Sequence, residues 1–179
     1  MKFLKILIPI SILSLVFIFD YYNKYYKPNT SFDDESIFLY VIKDDSLAFR
    51  DSISKYIKSE KTFYKVARRL KYIENKKTGR FKINKDLGNN DIVNSLKFNN
   101  TPVNVTFNNQ ERIEDLAGRV SKQIYEDSLS LISAFKDQEF LKKNGLNEKN
   151  VLSIFIPNSY NIYWNTTSED FRDRMLEEY

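Results

Sequence analysis

The chain of 179 residues has no cysteine and no histidine, and it has only four glycines and four prolines. Without cysteine, disulfides, thiolate nucleophiles and zinc knuckles are excluded. Without histidine, the commonest general base and the commonest metal ligand are missing. We expect no metal site and no cofactor. Any catalysis has to use carboxylates, lysine, arginine, tyrosine or hydroxyl groups.

The composition that remains is that of a chain able to bury a core, with 42% hydrophobic and 15% aromatic residues. A charged fraction of 29% excludes a protein with many membrane spans. The formal charge of +4 is mild, and the densest basic stretch runs from Arg68 to Lys82. We interpret that stretch as a solvated helix face and turn, so no nucleic-acid partner is expected.

The N-terminus contains an uncharged run from Ile6 to Phe19. A helix of that length spans about 21 Å, which is short of the roughly 30 Å hydrocarbon core of a bilayer. No small-x-small cleavage site follows, and a tyrosine cluster typical of a membrane interface does. We predict a signal anchor with a single transmembrane helix over residues 1–26 and a tether over residues 27–35. The predicted location is the inner (plasma) membrane, single-pass, with the soluble part on the periplasmic or extracytoplasmic side.

Residues 36–107 carry a mixed pattern of strands and helices. Apolar runs and alternation predict strands at 36–42, 80–83 and 101–107. A helix is predicted over 46–57, and the next helix carries the 3.6-residue periodicity of Phe63, Val66, Ala67, Leu70 and Ile73. Asn89 or Asn90 is predicted to cap a short helix. Strands separated by helices predict an α+β fold.

Residues 108–179 read as mostly helical. One apolar stripe runs from Ile113 to Ile124, and a second helix carries Leu129, Ile132 and Phe135. We expect Asn108 and Asn109 to act as helix N-caps. Thr167, with an aspartate three residues later, begins a last helix that carries Phe171 and Met175.

Five motifs appear in an order that resembles the YceG-like family of MltG-type endolytic murein transglycosylases. They are GRFKI (79–83), GNNDIVNSL (88–96), TPVNVTFNN (101–109), IEDLAGRVSKQI (113–124) and IPNSYNIYWNTTSEDFRDRM (156–175). The resemblance implies a single transmembrane helix, a LysM-like small α+β subdomain over residues 36–107, and the mostly helical beginning of a YceG-like catalytic domain over residues 108–179.

The same resemblance implies a membrane-anchored peptidoglycan lytic transglycosylase. Such an enzyme cleaves nascent glycan strands between MurNAc and GlcNAc and leaves 1,6-anhydro-MurNAc ends. The implied partners are the glycan strands, the inner membrane and the cell-wall synthesis machinery.

No catalytic residue is expected within this sequence, because the family's catalytic glutamate lies beyond the point where it stops. Glu169, Glu177 and Glu178 do not match that position, and Asn161 stands where relatives carry a glutamate. We expect an inactive N-terminal portion whose last helix is frayed or prone to aggregation, because Phe171 and Met175 would lack downstream partners.

The substrate-binding candidates are Asn158, Tyr160 and Trp164. Aromatic rings stack on sugar faces, and asparagine amides bond to N-acetyl and hydroxyl groups. The alternative is that these side chains pack under an aromatic turn, which we favour for Trp164 and leave open for the other two.

Two other functions compete with the transglycosylase. One is a non-catalytic, membrane-tethered peptidoglycan-binding module. The other is a cytoplasmic pyridoxal-phosphate lyase. The predicted anchor argues against it, as does the lack of a candidate Schiff-base lysine in an apolar strand or of a glycine-rich phosphate cup.

Overall fold

A computed structural model describes residues 2–179, with side chains of the first helix described from residue 9 onward. The described residues form an α+β structure, as the sequence predicts. Residues 2–8, which include the beginning of the predicted apolar run, have side chains outside the described part. The chain divides into two compact units, Met1–Asn100 and Thr101–Tyr179. We call them unit 1 and unit 2.

Unit 1 follows the predicted order of helices and strands. Its elements are α1 (Lys2–Tyr25), β1 (Ser36–Val41), α2 (Ser46–Ser54), α3 (Glu60–Arg69), β2 (Gly79–Asn84) and α4 (Asn89–Phe98). Strands β1 and β2 pair antiparallel, with Leu39 opposite Phe81 and Val41 opposite Gly79. The inward side chains of this pair contribute to one core with the helices.

Helix α3 supplies the centre of that core. Ser59 is its N-cap, and Phe63, Val66 and Ala67 are fully buried along one face. The predicted core position of Leu70 is corrected, because this residue is only partly buried. The helix ends at Arg69, and Lys71 has a φ of 54°. The chain therefore leaves the helical path at Leu70, and this residue does not continue the fully buried face.

The prediction of a transmembrane helix within residues 1–26 is wrong for the described part of the chain. None of the helices described there has both the length and the apolar character needed to cross a membrane. The end of α1 instead belongs to the core of unit 1, where Tyr25 is buried. The carbonyl oxygen of Lys24 accepts a hydrogen bond from Asn89 Nδ2 at 2.8 Å. The sequence pattern gave no sign of these tertiary contacts.

Within the predicted tether, residues 28–30 are held on unit 1 by backbone bridges. Pro28 bridges to Gly88 and Thr30 to Ile57. A Cβ atom on Gly88 would lie 2.6 Å from the carbonyl oxygen of Tyr26, so this close approach requires glycine. The segment is therefore a structural part of unit 1 at these residues.

Unit 2 contains the remaining elements. They are β3 (Pro102–Phe107), α5 (Ile113–Val120), α6 (Ser128–Phe135), α7 (Gln138–Lys143), a 3₁₀ helix (Val151–Ile154), β4 (Asn158–Tyr163) and α8 (Ser168–Glu178). Strands β3 and β4 pair antiparallel, with Val105 opposite Tyr160. Strand β3 thus lies in unit 2, whereas the predicted subdomain boundary lay after residue 107.

The C-terminal helix is packed rather than frayed. Phe171 and Met175 of α8 are fully buried, in contrast to the sequence-based expectation. The ring of Phe171 lies 6.1 Å from that of Phe135 and 6.5 Å from that of Phe155. Phe135 of α6 and Phe155, which directly follows the 3₁₀ helix, therefore supply the packing partners that we had expected to be missing.

Candidate functional site

The aromatic stretch at residues 158–163 is strand β4 rather than a turn. Its side chains alternate, so that Tyr160 and Ile162 point into the core while their neighbours are exposed. Five steps of about 3.4 Å separate Asn158 from Tyr163, or roughly 17 Å along the strand. The structure therefore does not bring Asn158, Tyr160 and Trp164 together at one place.

Tyr160 lies in the core of unit 2. Its ring stacks on Phe107 with 5.6 Å between centroids, and its hydroxyl donates a hydrogen bond to the carbonyl oxygen of Ile156 at 2.6 Å. Burial raises the pKa of this phenol. The residue holds the chain at Ile156 in place, just before β4 begins.

The other two candidates lie at opposite ends of β4. Asn158 is exposed, and its Oδ1 accepts a hydrogen bond from the backbone N–H of Ser159. Trp164 is partly buried against Tyr125, with 5.1 Å between ring centroids. Its carbonyl oxygen also accepts a bond from Tyr125 N. Direct sugar contacts by these residues stay predictions.

A cleft of about 350 Å³ lies in unit 2 where β3 ends and β4 begins. Apolar side chains form part of its wall, and amides and a hydroxyl supply polar groups. The lining residues are Phe107, Asn108, Asn109, Gln110, Leu116, Leu152, Ser153, Phe155, Ile156 and Pro157. We call it the β3–β4 cleft. Tyr160 stabilises it by bonding to Ile156 and stacking on Phe107.

The polar side of the cleft comes from the loop between β3 and α5. Gln110 Nε2 donates a hydrogen bond to Asn108 Oδ1 at 2.7 Å and lies 3.0 Å from the carbonyl oxygen of Asn109. The N-cap of α5 is Arg112, and no side chain caps that helix, so the prediction of Asn108 and Asn109 as N-caps is wrong. The sequence did contain a signal for these polar lining residues, because the stretch NNQ follows directly after an alternating strand.

The β3–β4 cleft has no ionisable group among its lining residues, all of which are described. A carboxylate lies on the neighbouring surface of α5, where Glu114 Oε1 accepts a hydrogen bond from Lys136 Nζ at 2.8 Å. This bond is the main cause that holds the pKa of Glu114 below its ordinary value. Glu114 is thus kept ionised, which is the opposite of what a general acid needs near neutral pH.

Replacing Lys136 with methionine should raise the pKa of Glu114 toward its ordinary value. Because the pKa of Glu114 is lower in the folded state than in the unfolded state, the ion pair stabilises the protein at pH values above the unfolded-state pKa. That contribution is lost as the pH falls through the folded-state value. A carboxyl carbon-13 NMR titration checks the change. Arg112→Gln is the control and should move the pKa less, because Arg112 Nε lies 3.6 Å from Glu114 Oε2. An unchanged titration in Lys136→Met would contradict the assignment.

Comparison with known protein families shows the family of this chain. The sequence matches the model of the YceG-like family over residues 48–179, a range that contains every element of the cleft. The chain belongs to the YceG-like family. A solved structure from Listeria monocytogenes, described as YceG-like, is 15% identical with a TM-score of 0.41. The match covers 82% of this chain and 55% of that one, so the chain spans about half the length of that structure. No curated protein matches the sequence.

Proposed function

We propose that the chain contributes the glycan-binding part of an endolytic peptidoglycan lytic transglycosylase. The enzyme would cleave nascent glycan strands between MurNAc and GlcNAc and leave 1,6-anhydro-MurNAc ends. One observation supports this most: the family match over residues 48–179 includes both strands and both loops that build the β3–β4 cleft. Because its substrate lies outside the cytoplasm, we place the protein on the extracytoplasmic side.

The chemistry of the cleft suits an N-acetylated sugar. Leu152, Ile156 and Pro157 offer accessible apolar surface against a pyranose ring, while Asn109 and Gln110 offer both amide donors and acceptors. Sugar rings and N-acetyl groups need this combination of flat apolar contact and paired hydrogen bonds. Its volume of about 350 Å³ falls in the range of roughly 300–1,000 Å³ that is usual for small-molecule sites.

The proposed reaction needs one carboxyl group and no water. The carboxylic acid donates its proton to O4 of the leaving GlcNAc as the C1–O4 bond breaks. The resulting carboxylate accepts the proton of the C6 hydroxyl, and O6 bonds to C1 to close the anhydro ring. An intramolecular nucleophile removes the need for the second carboxylate of ordinary glycosidases. We assign the proton donor to a part of the protein other than the β3–β4 cleft.

Muropeptide analysis tests this proposal. Uncrosslinked glycan strands are incubated with the 179-residue chain, and separately with a chimera that continues the chain with the C-terminal part of a YceG-like relative. We expect anhydro ends from the chimera and none from the chain alone. Reducing ends in place of anhydro ends would show hydrolysis and contradict the reaction. A folded chimera that binds strands without cleaving them would support the non-catalytic binding module instead.

Binding of peptide-free glycan strands by the chain itself tests the cleft directly. Asn109→Ala should weaken that binding roughly 3- to 10-fold, the effect of losing one hydrogen bond. Asn104→Ala is the matched control, since Asn104 is exposed on β3 and lies outside the cleft. Equal affinities for the two variants would exclude this cleft as the glycan site.

A further inference from the structure

A second groove, lined by basic residues, lies in unit 1 between α2 and α3. Lys61, Lys65 and Arg68 follow one another at i, i+4 and i+7 on α3, on the face opposite the buried residues of that helix. Tyr64 lies among them, and the guanidinium carbon of Arg68 is 5.8 Å from the centre of its ring. With Leu47 and Arg50 of α2 they line a groove of about 720 Å³, which we call the α2–α3 groove.

The groove has an excess of positive charge. Four cations and one carboxylate line it, which leaves a net charge of +3. The carboxylate, Glu60, is paired with Arg50 at 3.3 Å. Within the described residues, no carboxylate lies within ion-pair distance of Lys61, Lys65 or Arg68. All three side chains are exposed and available to an anionic partner.

The dimensions of the groove match a short acidic peptide. Cations one helical turn apart are separated by about 5–6 Å, and alternate residues of an extended peptide by about 7 Å. The ten residues of α3 span about 15 Å, the length of a peptide of four or five residues. Leu47 is 77% exposed and, with the ring of Tyr64, offers apolar contact to small side chains.

We propose that the α2–α3 groove binds the carboxylates of the short peptides attached to peptidoglycan glycan strands. This inference rests on the proposed function, because it takes the glycan strand as the polymer that the protein contacts. In this proposal, the α2–α3 groove of unit 1 binds the peptide and the β3–β4 cleft of unit 2 binds the sugar. Recognition of the peptide stem would favour strands that still have free peptide carboxylates.

The test uses the full chain and two probes. The first is a disaccharide–tetrapeptide muropeptide with free carboxylates, and the second is the same molecule with its peptide carboxylates amidated. Calorimetry should show that K61Q/K65Q/R68Q binds the first probe at least tenfold more weakly than the unmodified chain does. The second probe should bind all proteins alike. K142Q/K143Q/K149Q removes the same charge from exposed positions in unit 2 and should stay within twofold.

Three results would overturn the proposal. The first is that the groove variant binds the free-carboxylate muropeptide as tightly as the unmodified chain does. The second is that the groove variant loses affinity for both probes equally. A glycerol-phosphate polymer or single-stranded DNA that binds the groove more tightly than the muropeptide would assign it a different partner. Circular dichroism confirms that the variant is folded. Failure of the transglycosylase proposal is distinguishable, because the chimera then yields no anhydro ends while the groove variant still binds the free-carboxylate muropeptide at least tenfold more weakly than the unmodified chain does.

Discussion

Replacing Phe171 with alanine should destabilise unit 2 by roughly 3–5 kcal/mol, the usual cost of deleting a buried phenylalanine ring. Phe171 is fully buried, and its ring contacts those of Phe135 and Phe155. The substitution removes one member of this three-ring cluster and leaves a cavity that helices α6 and α8 can close only in part. Since whole domains are stable by only about 5–15 kcal/mol, a large part of the stability of the unit would be lost.

Trp164 provides the measurement, because it is the only tryptophan and lies in unit 2. Its fluorescence in a denaturant titration reports the unfolding of that unit. Leu129→Ala is the matched control: Leu129 lies on α6 in the same unit but is 77% exposed, so its loss should cost less than about 0.5 kcal/mol. A Phe171 variant as stable as the Leu129 variant would show that α8 is not packed in solution as it is in the structure.

Local signals in the sequence predicted much of the fold. The spacing of Phe63, Val66 and Ala67 predicted α3, and these residues are fully buried. Thr167 was predicted to begin the last helix, and its Oγ1 accepts a hydrogen bond from Asp170 N at 3.1 Å. Both signals lie within a few residues of the feature that they specify, so no knowledge of distant contacts was needed.

Predictions that depended on distant contacts were wrong or incomplete. The partner of β3 is β4, which is separated from it in the chain by three α-helices and one 3₁₀ helix. Without that pairing, this stretch was interpreted as an aromatic turn, although Tyr160 and Ile162 alternate as in a strand. Leu129 was placed in an apolar stripe, yet Leu131 is the buried residue. Which side of a short helix faces the core is set by its tertiary neighbours.

The candidate site illustrates the same limit. Aromatic residues drew attention to Tyr160 and Trp164, but their rings pack against Phe107 and Tyr125. The amides that line the β3–β4 cleft come from the loop at residues 108–110, in which Asn108 and Asn109 had been predicted as helix N-caps. The sequence alone does not distinguish an exposed asparagine from one that caps a helix. The observed N-cap at Arg112 shows that Asn108 and Asn109 are not caps of α5.

A buried pair of asparagines holds three segments of unit 1 together. Asn89 had been predicted as one of two possible N-caps of α4, but the N-cap is Gly88 and Asn89 is 1% exposed. Asn89 Nδ2 donates to the carbonyl oxygen of Lys24 at 2.8 Å, and its Oδ1 accepts from Asn29 Nδ2 at 2.6 Å. Asn29 Oδ1 in turn accepts from the backbone N–H of Ser59, the N-cap of α3.

Asn89→Ala should therefore destabilise unit 1 by roughly 2–4 kcal/mol, because the carbonyl oxygen of Lys24 loses this hydrogen bond and buried Asn29 Nδ2 loses one of its two, the other being to the carbonyl oxygen of Ser59. Hydrogen exchange measured by mass spectrometry resolves where the loss occurs. The amide of Asn29, bonded to Leu87, and that of Ser59 should exchange roughly 30- to 1,000-fold faster, the factor that corresponds to this free energy. Asn90→Ala is the matched control, since the neighbouring amide donates a hydrogen bond to the exposed side chain of Asp91, and it should change exchange less than threefold. Equal exchange in the two variants would mean that the end of α1 is held on unit 1 by the packing of Tyr25 and not by the asparagine pair.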